Sequence, residues 1–476
     1  MPKLVMIAYH FPPEGNAGSH RPLRFVRQLP TFGWATTIVT AVPSQYERYD
    51  PTLVAAIPVD TEIIRINSAD LWRKFQSWRG RSVVGMSSGA APSSSGKVSN
   101  GASSTLRAKL REVIRLAEAW WYHPDMASPW IKGAVHAVTE VCRRDRVSVI
   151  WATAGPVSAL YVARAASQKS GIPYVLDFRD SWTITHNDFE SRRPSWAIRR
   201  DRIRMYELLR GAQAVIFRYH TEAECFWQAY RGALEASKIY IIPNGYESPI
   251  EEHVTVTGDT CNVLYTGTLD TYRYDSLLEA LVILKTKEPS LAQQLRLLFV
   301  GEGMDSLANE ADTRGLSSMI QTMGPKTHAE VAGMQREAHA LLVLGRLPTI
   351  NGYELFAGAK LFGYLKAGRP IVGILPSDET QNVLRRVGCM TVADVDSVED
   401  ITRVLRLLLD RWSDETLSSL APDRKACAVY CAERQTETLA HALERLPAKE
   451  AFIPGAQTVP ATLRARVEHI RRLLIP

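Results

Sequence analysis

Four short segments of this 476-residue chain hold residues whose types and spacing suit phosphate and sugar chemistry. In HFPPEGNAGSHRPLRF, Gly15 and Gly18 fall in a strand-to-helix turn. Their missing side chains let a ligand approach the backbone, and the following helix offers unpaired N–H groups to an anion. The spacing is G-x-x-G, not the G-x-G-x-x-G dinucleotide fingerprint, so an ordinary glycine turn is the competing reading. In YVLDFRDSWTITHND a strand ends at Phe178, and Arg179, Asp180 and Trp182 follow at its C-terminal edge. In an open parallel sheet that edge faces the ligand crevice. One group there would hold a phosphate or sugar and another would orient a hydroxyl. The alternative is a local ion pair of Arg179 with Asp177 and Asp180 that fixes the turn. His186 is a further acid or base candidate, set against a plain surface histidine.

In YTGTLDTYRYDSLLEAL, Gly267 ends a strand and Arg273 precedes a helix with Leu277, Leu278 and Leu281 on its buried face. A guanidinium at a helix start, above a strand edge, is placed to clamp a diphosphate; a solvated arginine is the alternative. In NGYELFAGAKLFGYLKAGRPIVGI, Lys360 stands in the first turn of a helix that Gly368 closes. A lysine there opposes the helix dipole unless an anion neutralises it, which points to phosphate.

Other chemistries lack their residues. There is no Walker sequence, no H-E-x-x-H, no EF-hand loop and no G-x-S-x-G elbow. Asp394 and Asp396 have D-x-D spacing but read as part of a late loop. The six cysteines, at 142, 225, 261, 389, 427 and 431, form no C-x-x-C pair. A disulfide framework and a zinc ribbon are therefore not expected, and a reducing compartment is.

The elements that must position these groups alternate between short apolar runs and helix-period segments. LVMIAY (4–9), TTIVT (36–40), EIIRI (62–66), SVIWAT (148–153), YVLDF (174–178), AVIF (214–217) and IYII (239–242) form one series. NVLYTG (262–267), LRLLFVG (295–301), MIQTMG (319–324), ALLVL (340–344) and PIVGI (370–374) form another. Near-continuous apolar strands separated by helices indicate parallel sheets covered on both faces. Twelve strands exceed one ordinary sheet, so the expectation is an α/β protein of two Rossmann-like halves. The expected division is an N-terminal domain over 1–243, a linker over 244–260 and a second domain over 261–425. A C-terminal helix over 426–446 would cross back to the first domain, ahead of a basic tail over 447–476. Leu463, Val467, Ile470 and Leu474 give that tail helical spacing. Residues 87–104, poor in aliphatic and aromatic side chains, read as a flexible insertion.

Taken in order, these segments resemble the GT-B glycosyltransferases, specifically family 4 of the retaining enzymes. The resemblance runs from Leu4 to about residue 445. HPDMASPW (123–130), VIWATAGPVSAL and GIPYVLDFRDSW are similar to a bacterial branch with an R-D-x-W motif, and IIPNGYE, VGEGMD and KLFGYLKAGRPIV follow in the family's order. The resemblance implies the GT-B fold, with two Rossmann-like domains whose parallel sheets face a central cleft. It implies a nucleotide-sugar donor bound mainly by the C-terminal half, with a basic diphosphate clamp at Arg273 and Lys360. The donor-binding set becomes Gly15, Gly18, Gly267, Arg273, Glu354 and Lys360, and Arg179 and Asp180 become the catalytic pair. The leaving diphosphate itself would help deprotonate the acceptor, so no metal and no cofactor is implied. One departure stands out. The family has two glutamates separated by seven residues; here the second position is Gly363 and the first Leu355, with Glu354 beside it.

The expected function is transfer of a sugar from a nucleotide-sugar to a glycan, glycolipid or lipid-linked acceptor, with retention, in bacterial polysaccharide or cell-surface glycan synthesis. The alternatives are a donor-binding or scaffolding pseudoenzyme and a GT-B-fold epimerase.

Charge adds a partner to this reading. The chain carries a net +7, yet Arg65 to Arg115 alone holds ten basic and two acidic residues. Trp72, Arg73, Lys74 and Trp78 lie in that stretch and suit the acceptor or membrane side, against an anionic bilayer. A helix whose aromatics enter the core is the other reading, and no nucleic-acid motif accompanies the charge. The apolar run Leu4 to Ala8 is short for a signal peptide. The expected location is the cytoplasm, at most on the inner face of the cytoplasmic membrane.

Overall fold

Parallel pairing organises the computed structural model, which describes residues 1–46, 48–68, 120, 122–184, 194–247, 250, 256–346, 355, 357–444 and 452–474. The chain divides into two units, Met1–Ile241 with Thr438–Pro476, and Ile242–Glu437.

The first unit holds a seven-stranded sheet of β1 (Lys3–Ile7), β2 (Ala35–Ala41), β3 (Glu62–Ile66), β4 (Val147–Thr153), β5 (Tyr174–Asp177), β6 (Ala214–Phe217) and β7 (Ile239–Ile241). Their spatial order is β3-β2-β1-β4-β5-β6-β7, with every pairing parallel. Val5 of β1 lies opposite Thr37 on one side and Ile150 on the other. Leu4, Val5, Met6 and Ile7 are all fully buried, because helices cover both faces and leave no solvent side for alternation. Those helices are α1 (Ala17–Gln28), α2 (Ile131–Arg144), α3 (Ser158–Ser170), α4 (Ser195–Gly211) and α5 (His220–Ala229). The tail is a helix, Ala461–Leu474, which packs on α5 and α4 and buries Leu463, Val467 and Ile470.

The second unit repeats the plan with β8 (Cys261–Thr266), β9 (Leu295–Val300), β10 (Ile320–Met323), β11 (Ala340–Leu344), β12 (Ile371–Leu375) and β13 (Val392–Asp394). The order is β10-β9-β8-β11-β12-β13, again all parallel. Its longer helices are α6 (Asp275–Lys287), α7 (Asp305–Thr313), α8 (His328–Glu337), α9 (Ala359–Ala367), α10 (Glu379–Arg386) and α11 (Val398–Ser413). Val263, Tyr265, Leu281 and Leu405 belong to one buried core between sheet and helices. The last helix, α12 (Ala432–Leu443), carries the chain back to the first unit.

Two details depart from the sequence expectation. Asp394 ends the edge strand β13 instead of lying in a loop; a three-residue strand leaves too little apolar periodicity to read. The NGYE segment is pinned in the second unit: the Tyr246 N–H donates to the Tyr430 carbonyl at 3.0 Å, and a Cβ on Gly245 would stand 2.0 Å from that oxygen. Both sheets reverse direction beside their first strand, at β1/β4 and β8/β11. In doubly wound sheets ligands collect at the carboxyl ends of such strands.

Candidate functional site

At the carboxyl edge of the first sheet, the chain leaves β1 through His10 into the glycine loop. Asn16 caps α1, its Oδ1 accepting from the Gly18 N–H at 2.8 Å. A Cβ on Gly18 would lie 2.8 Å from that oxygen and 3.0 Å from Arg179 Nη1, so the glycine makes room for both. A Cβ on Gly15 would meet the Asp50 side chain at 3.0 Å.

Arg179, half-buried just beyond β5, spends its guanidinium on backbone carbonyls. Nε donates to Ala154 at 2.6 Å, Nη2 to Gly155 at 2.6 Å and Nη1 to Gly18. One side chain thus ties together the loops that follow β1, β4 and β5. Burial pulls its pKa down, against the opposing pull of Asp180 and Asp177. Asp177 is not its hydrogen-bonded partner: that carboxylate accepts from Arg21 at 2.6 and 3.0 Å and from the Thr153 hydroxyl at 2.7 Å, all buried. Arg179 does fix the turn, but through carbonyls. Asp180 is exposed at the same edge, and Trp182 is buried.

Three groups here were not singled out from the sequence. Glu14 is fully buried, with Oε1 accepting from Asn16 at 2.7 Å and Oε2 3.3 Å from His10 Nδ1. Arg21 and Asp177 are 156 positions apart, and nothing local pairs them. Asp125, inside HPDMASPW, accepts from the Ser158 N–H at 2.9 Å and hydroxyl at 2.6 Å, and burial raises its pKa against those bonds. An acidic residue four ahead of Pro129-Trp130 was the visible signal for the last of these.

In the second unit, Gly267 follows β8 with φ +115°, a conformation side chains resist, and a Cβ there would stand 3.2 Å from Lys360 Nζ. Lys360 occupies the first turn of α9, at the carboxyl edge of β11. Its ammonium donates to the Tyr265 hydroxyl at 2.8 Å and sits 4.1 Å from the centre of the Tyr265 ring and 4.2 Å from that of Tyr272. Burial, with Arg346 nearby, pushes its pKa down to about 7. Tyr272, Gly345, Arg346, Gly358, Lys360 and Thr380 line one pocket.

Arg273 is not in that lining. Its guanidinium pairs with Asp396, while its backbone N–H donates to the Gly345 carbonyl at 2.9 Å. Arg346, directly after β11, supplies the pocket's second cation instead. Its place became visible only once β11 was known to lie beside β8. Gly363 is uncrowded: the nearest atom to a Cβ there is Gln335 Oε1, at an ordinary contact distance of 3.8 Å. Glu354, His186, Trp72, Arg73, Lys74 and Trp78 lie outside the described residues.

Residues 91–248 match the family model described as Glycosyltransferase Family 4. No curated protein matches the chain significantly. Among solved structures, HepE of Anabaena in complex with UDP-glucose covers 93% of this chain and 100% of its own, at 14% identity and a TM-score of 0.55. Sucrose-phosphate synthase from Thermosynechococcus elongatus covers 94% and 99%, at 13% identity and a TM-score of 0.56. The lipopolysaccharide outer core galactosyltransferase WaaB covers 93% and 99%, at 11% identity and a TM-score of 0.54. At these identities the likeness is one of fold, and the fold is GT-B.

Proposed function

We propose that this chain, a GT-B-fold protein resembling the family 4 glycosyltransferases, transfers a sugar from a nucleotide-sugar to a glycan, glycolipid or lipid-linked acceptor with retention of configuration. Bacterial polysaccharide or cell-surface glycan synthesis is the setting we infer, on the cytoplasmic side of the membrane. The observation that carries the reading is Lys360. Its ammonium lies against the Tyr265 and Tyr272 rings and bonds the Tyr265 hydroxyl, among the described residues no carboxylate pairs with it, and Arg346 lines the same pocket. A diphosphate supplies a countercharge and restores the lysine's proton affinity.

In this reading the acceptor oxygen bonds to the anomeric carbon as the bond from that carbon to the diphosphate breaks. The diphosphate leaves with the electron pair and takes the acceptor's proton on the same face. Lys360 and Arg346, with Arg273 if it releases Asp396, stabilise the charge growing on the leaving group, the largest contribution open to such a site. Glu354 is assigned to the donor as well. Gly15, Gly18, Arg179 and Asp180 are assigned to the transferred sugar and acceptor, with Arg179 holding three loops in register so that Asp180 is presented at the edge. The similarity to a protein solved with UDP-glucose and to a lipopolysaccharide galactosyltransferase supports the substrate class.

Thermal-shift and donor-hydrolysis assays over a panel of nucleotide-sugars test the reading. At least one donor should stabilise the protein, Lys360→Ala should lose that shift without unfolding, and Asp180→Asn should retain it while slowing hydrolysis. No shift and no hydrolysis with any donor would reject the proposal. Gly363 favours a second reading, a donor-binding subunit without turnover. A Cβ there meets its nearest neighbour at an ordinary 3.8 Å, and turnover appearing only in Gly363→Glu would select the second reading.

A further inference from the structure

We propose that the outer face of α4 docks on an anionic lipid bilayer. α4 turns Ala197, Met205, Leu208 and Leu209 inward. Along its opposite side stand Trp196, 40% exposed, Arg199 and Arg200, both exposed, and Ile203, 45% exposed. The spacing 196, 199/200, 203 places them on one stripe, because residues three, four and seven apart share a helix face. Arg204 borders the stripe, its guanidinium 5.7 Å from the Tyr161 ring centre. Among the described residues, the one carboxylate in this groove is Glu207, already paired with Arg164 of α3 at 3.2 Å. Arg199, Arg200 and Arg204 therefore leave a net positive groove with two large apolar side chains in it.

The apolar pair selects the partner. A soluble polyanion would engage the arginines and gain nothing from Ile203. A bilayer takes both parts at once, phosphates meeting the guanidiniums while isoleucine and indole enter the headgroup boundary. The indole is also fixed for that role: Trp196 stacks on His123 (centroids 6.3 Å apart, planes at 26°), and His123 Nε2 lies 2.7 Å from Asp201. The proposal uses no residue of the Arg65 to Arg115 stretch, and it does not depend on the sugar-transfer reading.

Co-sedimentation of the full chain with phosphatidylcholine vesicles, with and without phosphatidylglycerol, tests it. Pelleting should require phosphatidylglycerol and be reversed by high salt. Arg199→Glu with Arg200→Glu should weaken binding by roughly thirtyfold or more, from about 1 kcal/mol for each arginine lost at the surface. Ile203→Asp should weaken vesicle binding but leave retention on heparin unchanged. Thermal melts should match wild type, since these side chains are in solvent. Equal pelleting of wild type and the arginine variant, equal binding to neutral vesicles, or full vesicle binding by Ile203→Asp would each overturn the proposal, the last in favour of a soluble polyanion.

Discussion

Arg179 and Lys360 both stand at the carboxyl edge of a sheet wound in the same order, yet they are held in opposite ways. Arg179 is consumed: three carbonyls from two segments, those after β4 and after β1, accept its N–H groups, and its neighbour Asp177 answers instead to Arg21. Lys360 has a phenol and two ring faces, and burial has already taken most of its preference for the charged state. A cation bonded to the backbone builds an edge. A cation that meets only aromatic groups among the described residues is placed to take an anion. The first unit therefore presents a preassembled rim, and the second a pocket whose charge is completed by what binds.

That contrast is best broken at its strongest point. Asp177→Ala leaves the Arg21 guanidinium buried without its carboxylate, and should cost about 3–5 kcal/mol in denaturant unfolding. A loss below about 1 kcal/mol would mean the first edge is not held by that pair.

Lys360→Met should act in the other direction. Nucleotide diphosphate affinity should fall about thirtyfold, the worth of a charge-assisted contact near 2 kcal/mol, while stability holds or rises. The pH dependence follows from the depressed pKa. The folded pKa of about 7 lies below the unfolded value, so the cost of burying the ammonium is absent above the unfolded pKa. It grows as pH falls and is complete below about 7. A bound diphosphate favours the ammonium, so calorimetry should show proton uptake on binding above about pH 7 and affinity declining by up to about tenfold per pH unit. Binding independent of pH would place the diphosphate away from Lys360.

Gly267→Ala puts a side chain at φ +115° and crowds Nζ, with an expected cost of about 1–2 kcal/mol and a measurable loss of donor affinity. Arg273→Ala should be mildest for stability, under about 1 kcal/mol, because its pair with Asp396 is partly exposed and its backbone bond survives. If donor affinity nevertheless falls, Arg273 leaves Asp396 to join the clamp; if it does not, Arg346 is the partner of Lys360.

Much of this was written in local pattern. Buried parallel strands are continuous apolar runs, so β1 to β12 and their division into two series were legible, whereas β13 was too short to show. Gly18 and Gly267 stood out because backbone geometry restricts residue choice position by position. Lys360 stood out because a helix start disfavours a cation whatever surrounds it. The sequence by itself thus determined the strands, the glycine turns and the lysine. The tertiary structure decided which cation does what. Arg179 bonds to carbonyls 24, 25 and 161 residues away, and Arg346 joins Lys360 because β11 lies next to β8. Hydrogen bonds and burial are set by distance in space, and a chain order that winds each sheet outward from its first strand does not carry that distance along its length.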